Sequence, residues 1–191
     1  MSIHKRVRDC LIIVPIVLVL TGCYATSVYP FYRPNDVIYE KDLLGTWHDE
    51  KKDGVTIFIR QGSIDDNYFI VHFTQGKSLV YSGQMFELNK SKFMDIMPYN
   101  KAPKSPSQED TNFLLTHSLW KVIWHGDQMQ FIMIQEKKLR ELADRTNARY
   151  LVVDGNTVLT GTSEEVQDLI SLHLDELFTA EEQVIFKREL K

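Results

Sequence analysis

The chain has 191 residues, 43% of them hydrophobic and 25% charged, with a formal net charge of −4. A modest acidic balance of this kind is a statement about solubility and recommends no nucleic-acid partner. Cys10 and Cys23 are the only cysteines.

At the start of the chain Lys5, Arg6 and Arg8 precede an apolar run from Leu11 to Leu20, followed by Thr21, Gly22 and Cys23. This is the order of a secretory signal: a basic start, a short apolar core, then small residues at the cut. A ten-residue run broken by Pro15 falls short of the ~20 residues a helix needs to cross ~30 Å of hydrocarbon, so it reads as a leader rather than a spanning helix.

The end of that run, "LTGC", resembles the lipobox of bacterial lipoproteins, a resemblance that covers Met1 to Cys23; Asp9 departs from the pattern. The resemblance implies a diacylglyceryl group on the Cys23 thiol, cleavage between Gly22 and Cys23, and acylation of the new amine. Two or three chains satisfy the physical need, because one chain alone gives only marginal membrane binding. Since Tyr24 rather than Asp follows the cysteine, the same resemblance implies onward sorting to the outer membrane, facing the periplasm, if the organism has two membranes.

Removing the first 22 residues takes away three Lys/Arg and one Asp, which leaves 169 residues with 19 basic and 25 acidic side chains, a net of −6. Only Cys23 then remains, so no intrachain disulfide is available and the core alone must hold the fold. A chain of that size buries about 70% of its unfolded surface as one domain. The expected organisation is a signal peptide over 1–22, a lipidated tether over 23–41 and a single β-rich domain over 42–191. The tether, "CYATSVYPFYRPNDVIYEK", is too rich in prolines and aromatics for a flexible linker and reads as extended or wrapping.

From there the dominant signal is alternation at period two, broken by short turns, the mark of antiparallel strands with one buried face. Val55, Ile57 and Ile59 share a face of one strand, and Phe69, Val71 and Phe73 are expected to be the buried face of the next, which "TQGK" ends. A long strand from Leu79 to Leu88 turns at "NKS" into Phe93 to Met97. Pro98 to Asn112, with three prolines, reads as a long loop. Leu114 through Trp124 then forms a strand that "HGDQ" turns into Met129 to Gln135.

Two helices follow. Leu139, Leu142 and Ala143 make a short apolar stripe, and Val166, Leu169, Ile170 and His173 recur at helical spacing behind a capping box of Thr162 and Glu165. Between them "YLVVDGNTVLT" is a hairpin centred on Asp154 and Gly155, which raises the number of expected strands to eight. The final "QVIFKREL" fits a closing strand or a helical turn.

The stretch "LLGTWHDE" is similar to the Gly-x-Trp signature of lipocalins, with Gly45 and Trp47 in those places; the second signature, a Thr-Asp-Tyr turn, is missing. Lipocalins place that tryptophan on the first strand as the plug of an up-and-down barrel. "GTWHDE", "FMDIMP" and "LTHSLWKV" in this order also resemble a group of bacterial exported lipocalin-like proteins with no assigned activity. The expected fold class is therefore α+β but mostly β: an antiparallel up-and-down sheet or partial barrel with two or three helices in the C-terminal third. A barrel of eight strands has room for its own side chains or one small ligand.

Signatures of catalysis are sparse. There is no G-x-S-x-G elbow and no H-E-x-x-H helix. His117 and His125, eight residues apart on one strand, would be separated by about 26 Å, too far to share an ion. No metal or cofactor is expected. "HDEKKDG", with His48, Asp49, Glu50 and Asp53, reads as a solvated turn. Asp95, between Met94 and Ile96, is the best single candidate for a perturbed carboxylate, although an aspartate at such a place more often lies on the surface of an edge strand.

Trp120, Trp124 and Phe131 are the candidates for lining a ligand pocket, although large aromatics usually build cores. The expected function is non-enzymatic, the binding of a small apolar ligand or an envelope protein partner by a lipid-anchored cell-envelope protein. The alternative is an envelope hydrolase with an unrecognised carboxylate or histidine site. Replacing Cys23→Ser should move the protein from the membrane fraction of its native host to the soluble one, and mass analysis of the unaltered protein should find the Cys23 sulfur acylated.

Overall fold

The computed structural model describes residues 25–63, 67–99, 115–180 and 183–189. Gly22 and Cys23, with most of the proline-rich segment, lie outside the described residues. The strands are β1 (Thr26–Ser27), β2 (Gly45–Asp49), β3 (Thr56–Gln61), β4 (Asn67–Thr74), β5 (Lys77–Leu88), β6 (Ser91–Pro98), β7 (His117–His125), β8 (Gln128–Met133), β9 (Tyr150–Val153), β10 (Asn156–Leu159) and β11 (Gln183–Arg188). Three helices lie between β8 and β11: α1 (Glu136–Thr146), α2 (Ser163–Leu172) and the single turn α3 (Leu174–Leu177).

Eight of the strands close into an antiparallel barrel. β2 through β8 follow one another around the ring, and β11 fills the gap by pairing with both β8 and β2. The expectation of eight strands thus meets a different set of eight. The β9–β10 hairpin stands outside the ring, joined to β7 through the short β1, while Gly45–Asp49 and the C-terminal segment, which is a strand, complete it.

Two cores result. The inner one fills the barrel with Leu43, Trp47, Ile57, Ile59, Tyr68, Ile70, Met85, Met94, Met129 and Phe186 among others. The outer one lies between the convex face of β5–β8 and the helices, where Phe86, Phe93, Leu119 and Ile132 meet Leu139, Leu142, Val166, Ile170 and Phe178. Strands shared by both cores are apolar on both faces, which is why Phe93, Met94, Asp95 and Ile96 are all buried.

Local chemistry supports the outer layer. Glu165 N donates to the Thr162 hydroxyl at 3.4 Å and Thr162 N to the Glu165 carboxylate at 2.7 Å, the expected capping box at the start of α2. α1 ends on Asn147 in the left-handed conformation, φ 55°, a common helix stop.

One expectation is corrected in β4. Its buried face carries Tyr68, Ile70 and His72, whereas Phe69, Val71 and Phe73 point outward. The strand is apolar at nearly every position, so alternation alone does not choose the face; the pairing of Ile59 with Ile70 and of Tyr68 with Gly83 does. The displaced aromatics pack against outer neighbours, Phe73 on Phe58 at 5.4 Å and Phe69 on Tyr99 at 5.4 Å between ring centroids.

The segment from Ala25 to Leu44 wraps the barrel. Phe31 is buried in the outer core, and its N–H donates to Asp95 Oδ2 at 2.8 Å. Further on, Ile38 N–H donates to the Met85 carbonyl at 2.9 Å, and Tyr39 stacks on Tyr68 with centroids 5.2 Å apart. Leu43 then enters the barrel end beneath Trp47, whose Nε1–H donates to the Leu43 carbonyl at 3.0 Å.

Arg188, opposite Trp47 in the β11–β2 register, lies over the indole with its guanidinium carbon 4.2 Å from the ring centroid. It also donates to the Leu44 carbonyl at 2.8 Å and to the Asp42 carbonyl. This end of the barrel is thereby sealed. Trp47→Ala removes the plug and should destabilise the domain by about 3–5 kcal/mol, read from urea unfolding curves.

Candidate functional site

The opposite end of the barrel is hollow. A cavity of about 700 Å³ opens there, bounded by the inward side chains of the strands and by the β2–β3 connection. Its wall is mainly apolar, with Ile57, Leu79, Ile96, Trp120, Phe131 and Phe186. Smaller side chains, Val55, Thr74, Ser118 and Val184, occupy other inward positions on it and leave the space open.

The inward alternation of each strand places these groups. Ile57 faces His72 across β3–β4, His72 faces Leu79 across β4–β5, and Ser118 faces Ile96 across β6–β7. Trp120 and Phe131 therefore sit on the cavity wall, with rings edge to face at 4.9 Å. Trp124, the third residue of the expected set, lies four positions nearer the sealed end and outside the cavity lining; Lys92 Nζ sits over its ring at 4.6 Å. The pocket brings together two of the three aromatics.

Polar groups gather toward the mouth: Asp49, His72, Thr74 and Tyr81 on the strands, Lys52 and Asp53 on the connecting turn. Asp49 also organises that turn, its Oδ1 accepting from the N–H groups of Lys51 at 2.8 Å and Lys52 at 3.0 Å. The solvated turn expected over "HDEKKDG" is thus also the rim of a cavity. His72 and Asp49 carried no distinguishing signal in the sequence except their phase with inward neighbours, Ile70 for His72 and Trp47 for Asp49.

Burial pushes the His72 imidazole below its ordinary 6.5, and the charge of Asp49 opposes the shift. A neutral imidazole offers one donor and one acceptor to whatever occupies the cavity.

Asp95 is buried, at 3% exposure, on the outer side of the barrel wall. Its carboxylate accepts from Phe31 N–H and contacts His117 Nδ1 at 2.7 Å. That burial between sheet and wrapping segment differs from a surface aspartate on a strand edge. The arrangement pins the N-terminal segment to β6 and β7, outside the cavity. His48 bonds Thr56 Oγ1 at 3.0 Å, and His173 lies 3.4 Å from Glu176. Among the described residues no group of three or more His, Cys, Asp or Glu converges so as to hold an ion.

No helix among them is long and apolar enough to cross a membrane. Comparison with known proteins adds no relative: no family model, no curated protein and no solved structure matches this chain.

The His72 shift has a defined pH signature. Because the folded value lies below the ordinary 6.5, the unfolded chain takes up this proton first as pH falls. The stability present above about 6.5 should decline from there through the depressed folded value. Urea midpoints measured across this range should fall more steeply for the wild type than for His72→Gln.

Proposed function

We propose that the protein is a lipid-anchored component of the cell envelope that binds a small apolar ligand in the open half of its barrel, in the manner of a lipocalin-like carrier. The observation that carries this reading is the cavity. Its volume of about 700 Å³ lies within the range of about 300–1,000 Å³ in which proteins hold small molecules, and an apolar wall with a few polar groups is what such sites share. The sealed end supports the same reading, since Trp47 and Arg188 close the bottom and restrict access to the mouth.

The wall chemistry sets the ligand class. A body of fused rings or a folded acyl chain would lie between Trp120, Phe131, Ile57 and Ile96, and one polar group would meet His72 or Tyr81 near the mouth. The anchor belongs to the same proposal: acyl chains on Cys23 would keep the carrier beside a bilayer, where apolar molecules concentrate. A hydrolase has less support, because the Asp95–His117 pair lies outside the cavity and is engaged by Phe31.

Titrating the protein with a fluorescent fatty acid should give saturable one-site binding, with energy transfer from Trp120. Ser118→Phe, which places a ring in the cavity, should weaken binding about tenfold or more. Trp124→Phe should leave the affinity unchanged. Binding that does not saturate, or that survives Ser118→Phe intact, would remove the cavity from the function.

A further inference from the structure

The β9–β10 hairpin displays apolar surface that the barrel does not use. Leu151, Val152 and Val153 are 56%, 52% and 41% exposed, and among the described residues β9 is the outer edge of the sheet, paired with β10 alone. Successive residues of a strand point to opposite faces, so this edge is apolar on both sides. Water-soluble proteins usually blunt such an edge with charge or cover it.

The hairpin is held firmly. Asp154 and Gly155 turn it with φ values of 50° and 83°. Arg140 of α1 donates to the Gly155 carbonyl at 2.6 Å and to Thr157 Oγ1 at 3.0 Å, and Thr157 and Val158 are buried.

A second observation bears on what covers this surface. Thr26 pairs with Val158 and Val158 with Leu151, so Thr26 lies two strand spacings, about 10 Å, from Leu151. Cys23 stands three residues before Thr26, at most about 11 Å of extended chain. Ala25 is already buried against the body, and one residue, Tyr24, separates it from the cysteine in the sequence.

We propose that the β9–β10 hairpin is a membrane-contact surface: with the acyl chains of Cys23 seated in a bilayer, Leu151, Val152 and Val153 enter the interfacial layer of the same leaflet. The proposal rests on the lipid-anchor reading of Cys23. A strand from a protein partner could pair with the β9 backbone, but it would leave both side-chain faces of β9 uncovered, whereas immersion covers them. Docking of this kind also orients the barrel. β1 joins β7 at Ser118 and His117, the end of that strand where Thr116 and Ser118 line the cavity, so the mouth side of the wall is held near the leaflet.

The test uses the full chain processed in a bacterial host, with Val152→Cys carrying a nitrobenzoxadiazole label and His125→Cys, at the sealed end of the barrel, as the control. A thioether at Cys23 does not react with the label, and mass analysis of the N-terminal peptide reports its acylation. In vesicles of phosphatidylcholine and phosphatidylglycerol, the label at 152 should shift to the blue of the label at 125 and be quenched by doxyl-labelled lipid, while the label at 125 is not. Leu151→Cys, on the other face of β9, should repeat the result of position 152.

If Cys23 is acylated but the labels at 151 and 152 emit as in water, the hairpin proposal is overturned and the anchor stands. A bare Cys23 overturns the anchor and, with it, the proposal. A blue shift that doxyl lipid does not quench would assign the hairpin to contact with another copy of this chain and overturn membrane contact.

Discussion

Closure of the ring by its last strand is the constraint on which the rest of the molecule depends. β11 returns after the helical excursion to pair with β8 at one edge and β2 at the other. Without it both strands present open edges, and the inner core has no wall on one side. The loop closed by pairing β11 with β2 spans almost the whole folded chain, so its entropic cost is incurred before any inner contact on that side can form. Interactions at the seam offset that cost: Arg188 covers Trp47 and bonds the carbonyls of Leu44 and Asp42, and Glu189 N–H donates to the Thr46 carbonyl at 2.9 Å. The charge over the indole, the tryptophan beneath it and the seam are therefore one structural unit.

The excursion that delays closure also builds the second core. α1, α2 and α3 cover the convex face of β5–β8, where Phe86, Phe93 and Phe178 follow one another with centroids 5.6 Å and 5.2 Å apart. Asp95 lies within this layer. A carboxylate so deeply buried is costly unless its lone pairs are taken up, and here they are, by Phe31 N–H and His117. The pair converts a polar liability on β6 into a clasp for the segment that leads from Ala25 to the barrel bottom. Nearby, the Tyr32 phenol is raised above its ordinary value, first by its own burial and then by the Asp95 charge.

Features set by neighbouring residues were legible in the sequence. The capping box at Thr162, the Asp154–Gly155 turn and the β5–β6 and β7–β8 hairpins each depend on partners adjacent along the chain. Legibility ended where the partner is distant. Alternation gives the period of β4 but not its phase, because Phe69, Val71 and Phe73 are as apolar as the face that is buried, and pairing with Ile59 and Gly83 decides. The segment from Gln183 could not be told from a helical turn, since β2 and β8 make it a strand. The same applies to the cavity. Trp120 and Phe131 are conspicuous by size, whereas His72 and Asp49 become part of the site only once three strands have been brought into register.

Why one half of the barrel is filled and the other hollow follows from the sizes of the inward side chains. Toward the sealed end the inward positions hold Trp47, Tyr68, Met85, Met94 and Met129, and Gly83 makes room for them: a Cβ there would stand 2.8 Å from Ile70 Cδ1 and 3.2 Å from Met94 Sδ. Toward the mouth Val55, Thr74, Ser118 and Val184 take inward positions between the larger Trp120, Phe131 and Tyr81. A ring of eight strands has a nearly constant bore, so smaller side chains leave volume that none of the described residues occupies. Apolar wall exposed in that volume gains from any apolar molecule that displaces water from it. The neutral His72 fits such an occupant, because a charged imidazole in the wall would favour water over hydrocarbon. Hollow half, small inward residues and lowered imidazole are thus one physical arrangement, and it is the one on which the proposed binding of an apolar ligand rests.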